Sequence, residues 1–466
     1  MKGSVEEASS ARAGPPAAHR LPTVRASQGE RAGVDLNRYR LSRFLLTNRA
    51  VRPTVQLVMV GLFAYALVQT FVGPQEAGTN FGAVAFFGLW WAPVMLISLV
   101  LVGRVWCYFC PIGAITQFVQ RFGLGKRFPT YREKKWRAFG VGFSLLSITA
   151  VTFLLARFPL YKLGVAFTPW AIGVYFLVFL VLAVGTALIF RQRAFCRYVC
   201  PATGVMSVTT RLSPIEIRQD RETKVPDCMT AEFKSPYLGT ERRCVACMHC
   251  SEGQPDTPVR VRLRWPGAAA VRQRIPLPDE ALIALIIWAI FPIDHVLGNR
   301  VGELAWVGGL PPLLSAAVPY VASVAATVAA FVMVTRIGAR WSGLDPGRAF
   351  TRFAFAYVPL GIVFQLGRHT VTGLMESGGE LVNQFAAGFG VSPGLREAWA
   401  SPETIAAWSQ FSTTGGLWLA VGWGAAIAWF IARDMTSRPS KAFRAWAPHV
   451  VLMCVSTYLV IGQLSA

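Results

Sequence analysis

Nine cysteines are spread over this 466-residue chain, and eight of them fall into three tight groups. The first is Trp106-Cys107-Tyr108-Phe109-Cys110-Pro111. The second is Phe195-Cys196-Arg197-Tyr198-Val199-Cys200-Pro201. The third joins Cys228 to Cys244-Val245-Ala246-Cys247-Met248-His249-Cys250. Clustered thiolates are ligands for soft and borderline metals. Zinc favours two separated Cys-x2-Cys knuckles. Cys-x2-Cys-x2-Cys is tighter, the spacing that wraps three corners of a [4Fe–4S] cube. Iron–sulfur ligation is the leading expectation and zinc the alternative. The iron–sulfur run would continue x3-Cys-Pro, but here it reads Ser251-Glu252-Gly253-Gln254-Pro255, with Gln254 where the fourth cysteine would stand. A cysteine from elsewhere must close that cluster, and Cys228 is the nearest. Cys107, Cys110, Cys196 and Cys200 would then make a second four-cysteine site. An exchange of Cys200 and Cys228 between the two sites stays open. His249, between two ligands, reads as a neighbour of the cluster rather than a ligand. Cys454 stands alone in an apolar run and reads as a small packing residue.

The elements that must position these groups are membrane helices. The chain is 53% hydrophobic and 15% charged, against roughly 25% charged in a soluble domain. That composition excludes a disordered chain, a coiled coil and a secreted disulfide scaffold. Nine apolar stretches approach or reach the length that crosses a bilayer: 53–73, 81–102, 137–156, 170–190, 279–298, 311–335, 353–375, 413–432 and 446–464. Unpaired backbone cannot stand in lipid, so each should be helical. With nine spans, alternate connecting segments collect 41 of the 46 Lys and Arg residues. The other side receives Arg157, Lys162, Arg300, Arg368 and Arg396. The positive-inside rule places the N-terminus in the cytoplasm and the C-terminus outside. This accounts for the net charge of +22 without nucleic acid; the basic loops can also meet anionic lipid. The eight grouped cysteines fall on the cytoplasmic side, where disulfides are rare. The sequence thus predicts an all-α polytopic membrane protein of about nine transmembrane helices with a cytoplasmic ferredoxin-like iron–sulfur insert. Its parts are a basic tail with an interfacial helix (1–50), a four-helix half (51–190), the iron–sulfur insert (191–278) and a five-helix half (279–466). The polar first 50 residues predict no cleavable signal peptide.

Gly103-Arg104-Val105-Trp106-Cys107-Tyr108-Phe109-Cys110-Pro111-Ile112-Gly113-Ala114 resembles the Cys-Pro signature of membrane polyferredoxins of the NapH and NosR type. Phe195 to Met206 is similar to the same pattern, and the resemblance spans about residues 50–265. It implies [4Fe–4S] clusters on the cytoplasmic face that pass electrons at the membrane, with Cys107, Cys110, Cys196, Cys200, Cys244, Cys247 and Cys250 as ligands. The sequence departs from the family in its first pair, spaced x2 where x3 is common, and in Gln254. The insert carries 15 Lys and Arg against 8 Asp and Glu. That excess would raise the potential of an anionic cluster and suit an acidic soluble donor, or it only sets topology.

Ionisable groups inside spans are functional candidates by default. Asp294-His295 lies late in the fifth stretch and Arg368-His369 late in the seventh. Each histidine is 16 residues, about 24 Å of helix, from the cytoplasmic start of its span, counted from Asp279 and from Phe353. At equal depth near the outer face, the two could ligate a b-type haem, or flank a quinone with Asp294 taking its proton. The plainer reading is that they cap helix ends at the interface. His449 reads as interfacial, near the cytoplasmic side. Gly415, Gly416, Gly422 and Gly424 read as close helix packing.

The expected function is electron transfer through two cytoplasmic-side [4Fe–4S] clusters. They would link a soluble ferredoxin-like carrier to the quinone pool or a partner redox complex, in a bacterial cytoplasmic membrane. The protein would be a quinone-linked oxidoreductase component. An assembly or regulatory factor for another respiratory metalloenzyme, and a transporter with a structural zinc site, are the alternatives.

Overall fold

The computed structural model describes residues 34–86, 88–89, 100–126, 154–155, 158–159, 162–191, 193–219, 259–272 and 278–465. Among these residues, seven helical runs are long and apolar enough to cross a membrane. They begin at Val51, Pro169, Glu280, Pro312, Pro346, Pro402 and Pro439. Half of the stretch expected at 81–102 and all but 154–155 of that expected at 137–156 lie outside the described residues, so seven is the count of the described part. The run that starts at Pro346 extends to Ala387, well beyond the expected 353–375.

Helix α1 (Arg40–Thr47) leaves Leu41, Phe44 and Leu45 exposed on a short basic helix, the pattern of a segment lying in an interface. Helix α2 (Val51–Val72) packs with Phe81–Ala83, α3 (Pro111–Val119) and α4 (Pro169–Ile189). Helix α4 has no charged residue. Leu177, Val178, Val181 and Leu182 are exposed along it, an apolar face that only hydrocarbon would leave uncovered without cost.

The second half has a different build. Helix α6 (Pro278–Trp288) and the run through α8 (Val358–Phe364) are its inner members. Ile283 through Ile287 and Phe353 through Val358 are at most 1% exposed. Around them lie α7 (Pro312–Ser342), α9 (Gly415–Met435) and α10 (Pro439–Ser465). Of the prolines inside expected spans, Pro319 sits within the continuous α7, Pro292 within a π-helical segment and Pro359 at the start of α8.

The fold is not wholly α. Strands β1 (Val34–Asp35), β2 (Ile215–Gln219) and β3 (Val259–Leu263) form an antiparallel sheet in the order β1-β3-β2. Ile215 pairs with Leu263 and Gln219 with Val259. The signal is the two-residue alternation in Ile-Glu-Ile-Arg and Val-Arg-Val-Arg-Leu, overlooked against the helical background. The consequence is specific: the sequence 220–258, with Cys228, Cys244, Cys247 and Cys250, leaves from and returns to one paired rung.

Buried ion pairs lock this end of the molecule. Arg211, just past α5 (Pro201–Thr209), pairs with Glu280 on α6. Arg264, just past β3, meets Glu216 at 3.1 Å and donates to the Thr210 carbonyl at 2.8 Å. Burial lowers the Arg264 guanidinium to about 10 against the raising effect of Glu216, which leaves it charged at neutral pH.

Of the four glycines read as packing positions in α9, Gly424 carries the close approach. A Cβ there would overlap the Ala356 carbonyl oxygen, whereas one at Gly422 would meet nothing within 4 Å. Gly424→Leu should therefore lower the thermal midpoint of the detergent-solubilised protein, with an overpacking cost of about 1–3 kcal/mol. Gly422→Leu should leave the midpoint unchanged. Equal effects in tryptophan-fluorescence melts would contradict this assignment.

Candidate iron–sulfur site and a histidine pair

Two cysteines occupy the same structural position twice. Cys110 caps the N-terminus of α3 with Pro111 next to it, at φ −60 and ψ 123. Cys200 caps α5 with Pro201 next to it, at φ −58 and ψ 119. Proline explains both: it holds the residue before it extended and starts the helix without needing an N–H. Each cap sulfur then faces first-turn N–H groups, at the positive end of a helix. Those of Gly113 and Ile112 act on Cys110, and those of Thr203 and Ala202 act on Cys200.

The first cysteine of each motif sits one turn earlier. Cys107 lies in the α-helical turn Trp106–Phe109. Cys196 lies in a π-helical turn, Phe195–Val199, closed by the Cys200 N–H donating to the Phe195 carbonyl at 2.9 Å. A π turn absorbs one extra residue. This reconciles the x2 spacing of the first motif with the x3 spacing of the second and delivers both caps alike.

The two motifs also cross. Cys196 Sγ lies 3.9 Å from Thr116 Oγ1 on α3. Cys107 Sγ lies 3.5 Å from Met206 Sδ on α5. Each motif's first cysteine thus rests on the helix that the other motif caps. Cys110 packs against the cores of both halves.

The electrostatics follow from burial. All four cysteines lie beyond the ends of the described membrane runs. Burial pushes the Cys107 thiol well up, with Cys110, Cys196 and Cys200 adding to the rise and Arg104 opposing it. Burial raises Cys110 to about 11, helped by Cys196 and opposed by Gly113 N–H and Arg193. Burial raises Cys200 to about 12, with Cys196 and Cys110 contributing. The four sulfurs are close enough to repel one another when ionised. Without a metal they would stay protonated, and a cationic core is what would take the protons' place.

Buried guanidinium groups supply further positive charge. Arg193, 1% exposed, holds α3 by donating from Nη2 to the Gly113 carbonyl at 2.8 Å and to Gln117 Oε1 at 3.0 Å. Arg104 and Arg197 are also buried. None of Arg193, Thr116, Gln117 or Met206 was marked by motif spacing; only their placement in three dimensions singles them out.

Among the described residues, no three His, Cys, Asp or Glu side chains are grouped to hold a single metal ion. A cubane makes a different demand, because each thiolate meets its own iron at a separate corner. Four thiols, four first-turn N–H groups and buried arginines form a donor set and counter-charge that fit such a group. Cys228, Cys244, Cys247, His249 and Cys250 lie outside the described residues.

At the other ends of the spans, the structure brings His295 and His369 together. His295 lies in a π-helical segment, Ala289–Gly298, and His369 in another, Gln365–Val371. Their Nε2 atoms are 3.3 Å apart. The ring centroids are 5.3 Å apart, a difference that the two ring radii take up, so the rings meet through these nitrogens and not face to face. Asp294 is committed elsewhere: it pairs with Lys162 at 2.7 Å and accepts from Ser323 at 3.2 Å. It is therefore not a free base for a quinone. A b-type haem does not fit this arrangement. Its iron and macrocycle need separated nitrogens and a flat opening about their axis, and the buried Phe364 packs against both rings at 5.2 and 5.7 Å. His449 is not interfacial. It is 1% exposed, stacked on Phe353 at 4.3 Å, with Nδ1 3.2 Å from the Tyr357 hydroxyl.

The comparisons with known proteins point to iron–sulfur binding in the same part of the chain. A family model described as a 4Fe-4S binding domain matches twice, at residues 84–129 and 172–217. Each match contains one Cys-Pro motif, so the pattern shared by the two motifs is the centre of a longer internal repeat. An uncharacterised protein of Methanocaldococcus jannaschii is 29% identical over 168 residues, 34% of this chain and 63% of that protein. The chain thus spans less than two thirds of that relative. No solved structure matches. The chain is a helical, membrane-type protein carrying a 4Fe-4S binding domain in two copies.

Arg193→Gln removes a buried positive charge beside Cys110 and should lower the midpoint potential of one iron–sulfur signal. The expected shift is on the order of 60 mV, one tenfold change in a one-electron equilibrium. Arg193→Lys should recover most of it. A redox-titrated EPR series in which Gln and Lys behave alike would remove Arg193 from the site.

Proposed function

We propose that this chain relays single electrons at a membrane surface through two [4Fe–4S] clusters. Cys107, Cys110, Cys196 and Cys200 hold one. Cys228, Cys244, Cys247 and Cys250 hold the other. When bound, such a cluster supplies a one-electron couple. The observation that carries the reading is the crossing of the two Cys-Pro repeats: Cys110 and Cys200 cap two helices, Cys107 and Cys196 each rest on the helix the other motif caps, and buried arginines lie nearby.

The residues' own work is to bind, bury and balance charge. The cap cysteines and their first-turn N–H groups stabilise added negative charge. Arg104 and Arg193 favour the reduced state. Met206 and Phe109 exclude water and join the site to the core of the second half. The paired β2 and β3 ends flank the sequence that carries the second cysteine group, and on this reading that cluster lies near the first.

The Lys and Arg bias favours the cytoplasmic side for this end, where it would face a soluble acidic carrier such as a ferredoxin. The quinone pool, or a membrane redox partner, takes or gives the electrons on the other leg. This is the role that the NapH and NosR resemblance implies.

The test uses the full chain in liposomes that contain menaquinone or ubiquinone. Reduced ferredoxin should generate the cluster EPR signals, and quinone should bleach them with quinol formed at one molecule per two electrons. Cys110→Ser should remove one signal and slow quinol formation at least tenfold. Clusters that ferredoxin reduces but no quinone or membrane partner reoxidises would contradict the relay.

A further inference from the structure

The histidine pair at the far ends of the spans has the geometry of a metal site. We propose that His295 and His369 bind a divalent first-row cation of the imidazole-preferring class, zinc or copper, with water in the remaining positions. Imidazole nitrogen suits these ions, and copper and zinc stand high in the affinity order.

The distances carry the argument. Two nitrogens each about 2.0–2.1 Å from one tetrahedral zinc stand about 3.3–3.4 Å apart, with the ring centres behind them roughly 5 Å apart. Here the Nε2 atoms are 3.3 Å apart and the ring centroids 5.3 Å apart. The pair is set for one tetrahedral ion with little movement.

The surroundings fit the same reading. Both histidines come from π-helical segments, the device that also sets Cys196, and π turns recur at functional sites. The rings are held by Phe364. His369 is exposed and His295 half-buried, so an ion can enter. Two cations linked to the pair through neighbouring residues are engaged elsewhere. Lys162 is neutralised by Asp294 at 2.7 Å, and Arg368 reaches Ser409 Oγ at 3.5 Å. Among the described residues no third His, Cys, Asp or Glu completes the set. An ion here would clip the segment after α6 to the segment after α8, which are consecutive inner elements of the second half.

The experiment is equilibrium dialysis of iron-loaded, full-length protein in detergent against zinc, with excess magnesium present. The wild type should retain one zinc per chain that His295→Ala and His369→Gln each weaken at least tenfold, with iron content unchanged. Zinc-edge X-ray absorption of the wild type should report imidazole nitrogen. Zinc retained by either variant as tightly as by the wild type, a sulfur-only zinc shell, or no retained zinc would overturn the site. The iron content of the same samples reports separately on the clusters, so the two readings fail independently.

Discussion

Four half-buried thiols repel one another once ionised, and this end of the molecule is organised around that repulsion. In a low-dielectric setting the cost of uncompensated charge is several kcal/mol per group. The chain meets it with fixed positive ends: two helix N-termini aimed at the cap sulfurs, and arginines buried beside them. None of these depends on solvent. That is why Cys-Pro recurs. Proline forces the cap, the cap places the sulfur, and the helix behind it brings the N–H groups.

The crossing of the two repeats turns a local motif into a tertiary constraint. Cys196 rests on Thr116 and Cys107 on Met206, so neither repeat completes its surroundings alone. Arg193 reinforces the crossing by gripping α3 from the second repeat. The Arg211–Glu280 pair then carries the link from α5 into α6. The sulfur site is thereby rigidly tied to the inner helices of the second half, whose far ends bring His295 and His369 together.

Much of this was legible in the residues. The cysteine grouping pointed to iron–sulfur chemistry and the apolar stretches to membrane helices, while the charge bias independently put the grouped cysteines on one expected side. The equal depth of His295 and His369 followed from counting residues along two helices. What could not be read were contacts between distant segments. Lys162 lies between two expected spans and in no motif, yet it pairs with Asp294. His449 looked interfacial by position, yet a tyrosine and two phenylalanines from other helices enclose it. The sheet was missed because β1 is only two residues long and its partners flank a long insertion. The x2 and x3 spacings looked inconsistent because a π turn leaves no mark in the sequence.

The central claim is that the cysteines hold cubane clusters, and Mössbauer spectroscopy of anaerobically purified, iron-57-labelled protein tests it most directly. Combined with iron and acid-labile sulfide analysis, it should give about eight irons and eight sulfides per chain, in the spectrum of [4Fe–4S] centres. A chain that carries about one zinc and no sulfide, or iron bound only as isolated ions, would contradict the account.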